Sequence, residues 1–230
     1  VTASNNESTN SRSINITATH SGVTKSITIS QRAGSKVYGS WSKWTINKSS
    51  SGTTIAASGG SGTVSAPTAI RTRSYTWNGT GTSYTEQGTG TPTLTKQSGD
   101  GSFSVSGTTA TVSYGNNTTT SSKSTVVRAT MDTEYVDTTF TQSAGSKVYG
   151  SWSIWSVYCN ASSFTVSASG GSVTIYSGAS RSRSWTWNGV SGSGGTESES
   201  GTPTLSASGS GSLSGTTLSY GNNTSTSSRT

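Results

Sequence analysis

The sequence predicts an all-β chain of tandem two-sheet sandwiches, and three observations carry that expectation. The first is composition: 27% of the 230 residues are hydrophobic and 10% charged, with 7 Trp and 9 Tyr set among Ser, Thr and Gly. Disordered chains are poor in aromatic and β-branched residues, whereas Trp, Tyr, Val, Ile and Thr suit a half-buried pleated surface. The second is periodicity: no capped segment sustains the i, i+3, i+4 apolar spacing of a helix. The third is repetition. Gly34-Ser-Lys-Val-Tyr-Gly-Ser-Trp41 reappears as Gly145-Ser-Lys-Val-Tyr-Gly-Ser-Trp152, an offset of 111 from Trp41 to Trp152.

The repeat sets the domain map. Gln31-Arg-Ala-Gly matches Gln142-Ser-Ala-Gly, and Asn5-Asn6 matches Asn116-Asn117, with a third Asn pair at Asn222-Asn223. Ending each unit at the Gln-x-Ala-Gly junction divides the chain into residues 1–34, 35–145 and 146–230. The first is expected to be the C-terminal part of a preceding repeat and the second a complete repeat. The third lacks the closing hairpin of its predecessors. Part of a longer tandem array is the expectation; exchange of tail strands between chains is the alternative. The junction is too short for a free linker, so neighbouring repeats are expected to pack end to end as a semi-rigid rod.

Within the complete repeat the strands are expected in order. Val37–Ile46 opens it with Tyr38, Trp41 and Trp44, and Thr53–Ala57 and Thr63–Ala66 flank Ser58-Gly-Gly-Ser-Gly62. Ala69–Trp77 comes next, then Ser83–Glu86 across a Gly-Thr-Gly loop. Thr93–Gln97 and Phe103–Val105 flank Ser98-Gly-Asp-Gly101, and Ala110–Tyr114 precedes the Asn pair. Val126–Met131 and Tyr135–Thr141 close the repeat as a hairpin. Seven to nine short strands with turn signals every eight to twelve residues describe an immunoglobulin-like sandwich. The fold class is therefore all-β, with tandem immunoglobulin-like β-sandwich domains. In the first partial repeat, Ile14 and Ile16 face one way along an alternating hairpin, as do Ile27 and Ile29.

Arg71-Thr-Arg-Ser-Tyr-Thr-Trp-Asn-Gly is the candidate site, and it recurs as Arg181-Ser-Arg-Ser-Trp-Thr-Trp-Asn-Gly. Alternation in a strand puts Arg71, Arg73, Tyr75 and Trp77 on one face, and Arg181, Arg183, Trp185 and Trp187 on its copy. Asn-Gly marks a tight hairpin turn at the end of each. Aromatic rings stack on sugars and Arg donates to hydroxyls, so the strand is a candidate glycan-binding ladder. Burial of Trp77 or Trp187 in a sandwich core, with the arginines extending their heads to solvent, is the preferred reading.

Other chemistry has little support. His20 sits at a hairpin turn and its counterpart is Met131, so no catalytic histidine repeats. Asp132, Glu134 and Asp137 lie close together, but their counterparts are Ser21, Val23 and Ser26, and a solvated acidic turn is the reading preferred to a calcium site. No catalytic residue, metal site or cofactor is expected, and the chain is read as non-enzymatic. Cys159 is alone, which excludes an intramolecular disulfide; an inert, buried or half-buried thiol is expected. The formal charge of +7 comes from 15 basic and 8 acidic residues scattered singly, a solvated surface rather than a nucleic-acid footprint. No apolar run approaches the roughly 18 residues of a membrane helix, so no membrane insertion is expected.

The segment from Asn5-Asn-Glu-Ser-Thr-Asn-Ser-Arg to Val23-Thr-Lys-Ser-Ile-Thr-Ile-Ser-Gln31 resembles the C-terminal half of BACON-type and related bacterial immunoglobulin-like modules. Asn116 to Gln142 matches with Lys123 in place of Arg12, while the Tyr-Gly-Ser-Trp front half departs from that pattern. The resemblance implies an extracellular setting, on a bacterial surface or on the fibres and capsid decorations of phages. It implies a structural and adhesive role, spacing and weak binding of surface glycans. The expected partners are neighbouring repeats, other copies in a fibre, and glycans. The alternative is a carbohydrate-binding module of a secreted or cell-surface protein.

Overall fold

A computed structural model describes residues 1–47 and 52–230, and among these there is no helix. The chain divides into two compact units. One holds Val1–Tyr114 with Ser122–Ser143, and the other Gly115–Ser121 with Ala144–Thr230. The loop carrying Asn116 and Asn117 thus belongs by contact to the later repeat, although its chain neighbours belong to the earlier one.

The first unit begins with a lone hairpin of β1 (Arg12–His20) and β2 (Val23–Gln31), turning at Ser21-Gly22 with positive φ at both residues. Next come β3 (Lys36–Tyr38) and β4 (Thr45–Ile46), β5 (Thr53–Ile55) and β6 (Gly60–Ser65). A long hairpin is next, β7 (Ala69–Trp77) and β8 (Thr80–Gly90). The unit closes with β9 (Thr93–Gly99), β10 (Ser102–Ser106), β11 (Thr109–Tyr114), β12 (Lys123–Met131) and β13 (Glu134–Gln142).

Two of the sheets share one core. Strands β5-β13-β12-β9 form a four-stranded sheet, with β5 parallel to β13, and β10-β11-β6 a three-stranded one. Their inward residues alternate as a period of two requires: Thr125, Val127 and Ala129 from β12, and Val136, Thr138 and Phe140 from β13, are all buried. Opposite them lie Val64, Ala110, Val112 and Tyr114, with Ile55 and Leu94 completing the cluster. The Tyr114 hydroxyl donates to Thr125 Oγ1 at 2.6 Å, so this core hydroxyl does not lie unsatisfied. Gln142 is fully buried and donates from Nε2 to the carbonyls of Ala56 and Ala57 at 3.3 and 3.2 Å. The all-β, sandwich-like character rests on this pair of sheets.

Three expectations are corrected. Val37–Ile46 is two short strands, both paired with β7, because residues 39–44 take a different path. Strand β8 starts at Thr80, directly after the Asn78-Gly79 turn, and Gly81-Thr82 continue it rather than forming a loop. Cys159 is exposed at the end of its strand, not buried, because that strand is a short sheet edge.

The second unit contains β14 (Lys147–Tyr149), β15 (Ser156–Cys159), β16 (Gly171–Thr174), β17 (Ser177–Trp187), β18 (Gly195–Gly201), β19 (Ser212–Ser214) and β20 (Thr217–Tyr220). Strands β16-β20-β19 correspond to β6-β11-β10 of the first unit. Neither counterpart of β5 nor of β9 forms, although Phe164–Val166 and Thr204–Ser206 occupy those places in the repeat. Both strands pair only with the closing hairpin in the complete repeat, so without it their backbone groups have no ladder to join.

The outward face of the closing hairpin carries a bidentate pair: Arg128 Nε and Nη2 donate to Asp137 Oδ1 and Oδ2 at 2.7 and 2.8 Å. These hydrogen bonds hold the Asp137 carboxyl below its ordinary range, against the opposing pull of partial burial. The ion pair therefore contributes stability above the unfolded carboxylate value of roughly 3.9, lost as pH falls through the lowered native value. Asp137→Asn should lower stability near neutrality, and the difference from wild type should vanish in strong acid; urea titrations across pH check this. Phe140→Ala should cost the first unit about 3–5 kcal/mol in the same assay. Ile29→Ala, at the matching but exposed position of β2, should stay within about 0.5 kcal/mol.

Candidate functional site

The candidate residues Arg71, Arg73, Tyr75 and Trp77 do share one face of β7, and that face is occupied from within the repeat. Residues 39–44 run beside β7, tied by Gly39 N to Ser74 O at 2.9 Å and Ser42 N to Thr72 O at 2.7 Å. The Ser42 hydroxyl accepts from Thr72 N at 2.9 Å. This ribbon returns every third side chain to the β7 face, so Tyr38, Trp41 and Trp44 line up against the arginines. A strand of period two could not do so.

Cations and rings then alternate. The Arg73 guanidinium lies 3.5 Å from the Tyr38 ring centroid and 4.4 Å from that of Trp41. Arg71 sits 4.6 Å from Trp41 and 4.4 Å from Trp44. Lys36 covers Tyr75 at 4.1 Å, and Tyr75 stacks on Tyr84 at 5.4 Å. Arg73 is also held by Glu86 at 2.7 Å from the neighbouring β8. Trp44 and Trp77 are both buried, outside the sandwich core.

The second unit repeats the ladder. Arg183 lies 3.9 Å from Tyr149 and 4.4 Å from Trp152; Arg181 lies 4.7 Å from Trp152 and 4.6 Å from Trp155. Lys147 covers Trp185 at 4.1 Å, and Trp185 meets Trp187 edge-on at 5.9 Å. Trp41 and Trp152 each lie against two guanidinium groups. Each contact of this kind is worth roughly 0.5–2 kcal/mol, more where desolvated.

The two ladders differ at one rung. Arg181 faces Glu199 in register and pairs with it at 2.7 Å, but Arg71 faces Gly88 and its buried Nε has no hydrogen-bond partner among the described residues. A Cβ at Gly88 would come within 3.2 Å of the Trp41 ring, a close approach that the second ladder accommodates at Glu199. Gly88→Glu should supply the missing acceptor and raise stability by about 0.2–1 kcal/mol; thermal melts of both proteins check the sign.

At the end of each ladder the hairpin turn grips an asparagine loop earlier in the chain and within the same compact unit. Asn78 and Asn188 sit at positive φ, 56° and 55°, which frees their side chains to point back along the chain. Asn78 exchanges backbone and side-chain hydrogen bonds with Ser35 at 2.7 and 2.9 Å, and its Nδ2 donates to Asn5 Oδ1 at 2.5 Å. Asn188 bonds Ser146 at 2.8 Å in both ways, and donates to Asn116 Oδ1 and Asn117 O at 2.7 and 2.9 Å. The junction glycines are part of this grip. A Cβ at Gly34 would meet Asn6 O at 2.0 Å, and one at Gly145 would meet Asn117 O at 2.1 Å.

Sequence reasoning finds the arginine strands but not Tyr38, Trp41 and Trp44, or Tyr149, Trp152 and Trp155, as their partners. The three-residue spacing of these aromatics is the available signal. The acidic partners Glu86, Glu197 and Glu199 have a weaker one, their place on the strand returning from Asn-Gly. Among the described residues no three His, Cys, Asp or Glu side chains gather as a metal group, and Asp137 is engaged with Arg128. No family model, curated protein or solved structure matches the chain.

Proposed function

We propose that the protein is a non-enzymatic spacer, a tandem array of immunoglobulin-like modules in a virion fibre or bacterial surface appendage. The observation that carries this reading is the junction made twice on the same pattern, Asn78 with Asn5 and Ser35, and Asn188 with Asn116 and Ser146. Each grip packs a junction glycine and an asparagine pair inside one compact unit, and its recurrence is what a repeated structural module requires.

Strand order supports the immunoglobulin-like part. Taken in sequence, β5, β6 and β9–β13 give seven strands, with the second, fifth and fourth in one sheet and the third, sixth and seventh in the other, joined by the first. That is close to the constant-type arrangement, except that the first strand lies parallel to the last and β7–β8 are inserted between the second and third. The motif resemblance of Asn5–Gln31 to BACON-type modules supports the extracellular setting.

The ladder reads as internal support for the inserted hairpin. Trp41→Ala should cost about 3–5 kcal/mol, and neither wild type nor variant should bind a glycan array. Specific glycan retention that Trp41→Ala abolishes without unfolding would replace the spacer reading with a carbohydrate-binding module. Antibody raised against residues 35–145 should label the outside of virions or cells; labelling confined to the cytoplasm would overturn the setting.

A further inference from the structure

Two asparagines in the chain are followed directly by glycine, Asn78 and Asn188, and they are the two that make the grips. Glycine has no side chain to shield its own backbone nitrogen. In an Asn-Gly pair that nitrogen is the one best able to attack the asparagine Cγ and close a five-membered imide. The turn alone does not call for this risk, because Asp-Gly suits it as well as Asn-Gly. Only the amide, however, supplies the Nδ2 donor on which each grip depends.

Both ends of each amide are held. Asn78 Oδ1 accepts from Ser35 N at 2.9 Å, while its Nδ2 donates to Asn5 Oδ1 at 2.5 Å and to Asn6 O at 3.3 Å. Asn188 Oδ1 accepts from Ser146 N at 2.8 Å, and its Nδ2 donates to Asn116 Oδ1 and Asn117 O at 2.7 and 2.9 Å. The backbone nitrogens of both asparagines are bound too, to Ser35 O and Ser146 O, which fixes the left-handed φ of 56° and 55°. Ring closure requires the side chain to leave these partners and turn onto the next nitrogen. A closed grip therefore blocks the reaction, and an open one permits it.

We propose that Asn78 and Asn188 are self-modification sites, silent while the grip is closed and converted to aspartate and isoaspartate once it opens. The glycine nitrogen gives up its proton to water or hydroxide and bonds to the asparagine Cγ. The Cγ–Nδ2 bond breaks and Nδ2 leaves as ammonia, giving the imide. Water then adds to one of the two imide carbonyls. Cleavage at Cγ leaves aspartate, and cleavage at the main-chain carbonyl leaves isoaspartate. The net change is water in and ammonia out, with no oxidant or cofactor.

Neither product closes the grip again. Aspartate sets a charged acceptor against Asn5 Oδ1 and Asn6 O in the first unit, and against Asn116 Oδ1 and Asn117 O in the second, where a donor stood before. Isoaspartate also adds a carbon to the main chain between Trp77 and Thr80, which face each other across the turn. A transient opening thus becomes permanent.

The proposal goes beyond the spacer reading and needs only the grips, so its failure leaves that reading where it was. The 230-residue chain is held in warm, mildly alkaline buffer and followed by peptide mapping. Mapping separates these sites from Asp100-Gly101, which forms the same imide by loss of water. Asn78 and Asn188 should convert at least about 10-fold more slowly in the folded chain than in the chain unfolded in urea. Asn5→Ala, at an exposed residue, should speed Asn78 by about 3- to 10-fold and leave Asn188 unchanged, and Asn116→Ala should do the reverse. Asn78→Asp should make the Gly34 amide, bonded to Ser8 O at 2.7 Å, exchange faster, with the Gly145 amide as in wild type. Equal rates in the folded and unfolded chain would overturn the proposal. So would an Asn78 rate indifferent to Asn5→Ala, one variant speeding both sites alike, or a Gly34 amide fully protected in Asn78→Asp.

Discussion

The closing hairpin is the constraint on which the sandwich depends. Strands β12 and β13 are the two central strands of the four-stranded sheet, and β5 and β9 touch that sheet only through them. Two strands therefore decide the fate of four. They also supply a large share of the core, since Val127, Phe140 and the buried Gln142 all come from the hairpin. Where the sequence repeats without it, in the second unit, the three-stranded sheet β16-β20-β19 persists and the opposite sheet is absent among the described residues. A ladder strand without a neighbour keeps neither its hydrogen bonds nor the apolar burial that would offset the entropy of ordering it.

The ladder hairpin is independent of that sheet. Strands β7 and β17, with their tryptophans and arginines, are formed alike in both units, one with a closing hairpin and one without. Its stability is local: guanidinium groups between rings, glutamates in register across the hairpin, and serine hydroxyls tying the 39–44 ribbon. The Asn-Gly turn at its tip then does a second job, gripping the asparagine loop before it. The compact units obey this grip rather than the sequence repeat, which is why residues 115–121 group with the later repeat.

Much of the fold is legible in the sequence where one physical rule acts alone. Ala69–Trp77 can be read to the residue because alternation and an Asn-Gly turn define it. The hairpin Val126–Met131 and Tyr135–Thr141 is found nearly whole for the same reason. The ribbon 39–44 reads as strand because its aromatics suit β structure, while their spacing of three belongs to a different path. Strand β8 reads too short because Gly81 looks like a loop; its positive φ of 84° is instead absorbed as an irregularity at the start of a long hairpin. The expectation of a covered Cys159 rests on residue type and ignores its place on a short edge strand. The grip of Asn78 on Asn5 joins residues 73 apart and leaves no local trace, so only the recurrence of both pairs along the chain could suggest it.

Amide hydrogen exchange on the dilute, monomeric chain tests the dependence on the closing hairpin most directly. Amides of Leu94, Lys96 and Ile55 should exchange slowly, at rates set by opening of the whole first unit. Those of Leu205, Ala207 and Val166, at the same places in the second unit, should exchange nearly as fast as an unstructured peptide, while Leu218 and Arg183 stay protected. Equal protection of the two sets would show that β5 and β9 stand without β12 and β13, and would contradict the hairpin's role.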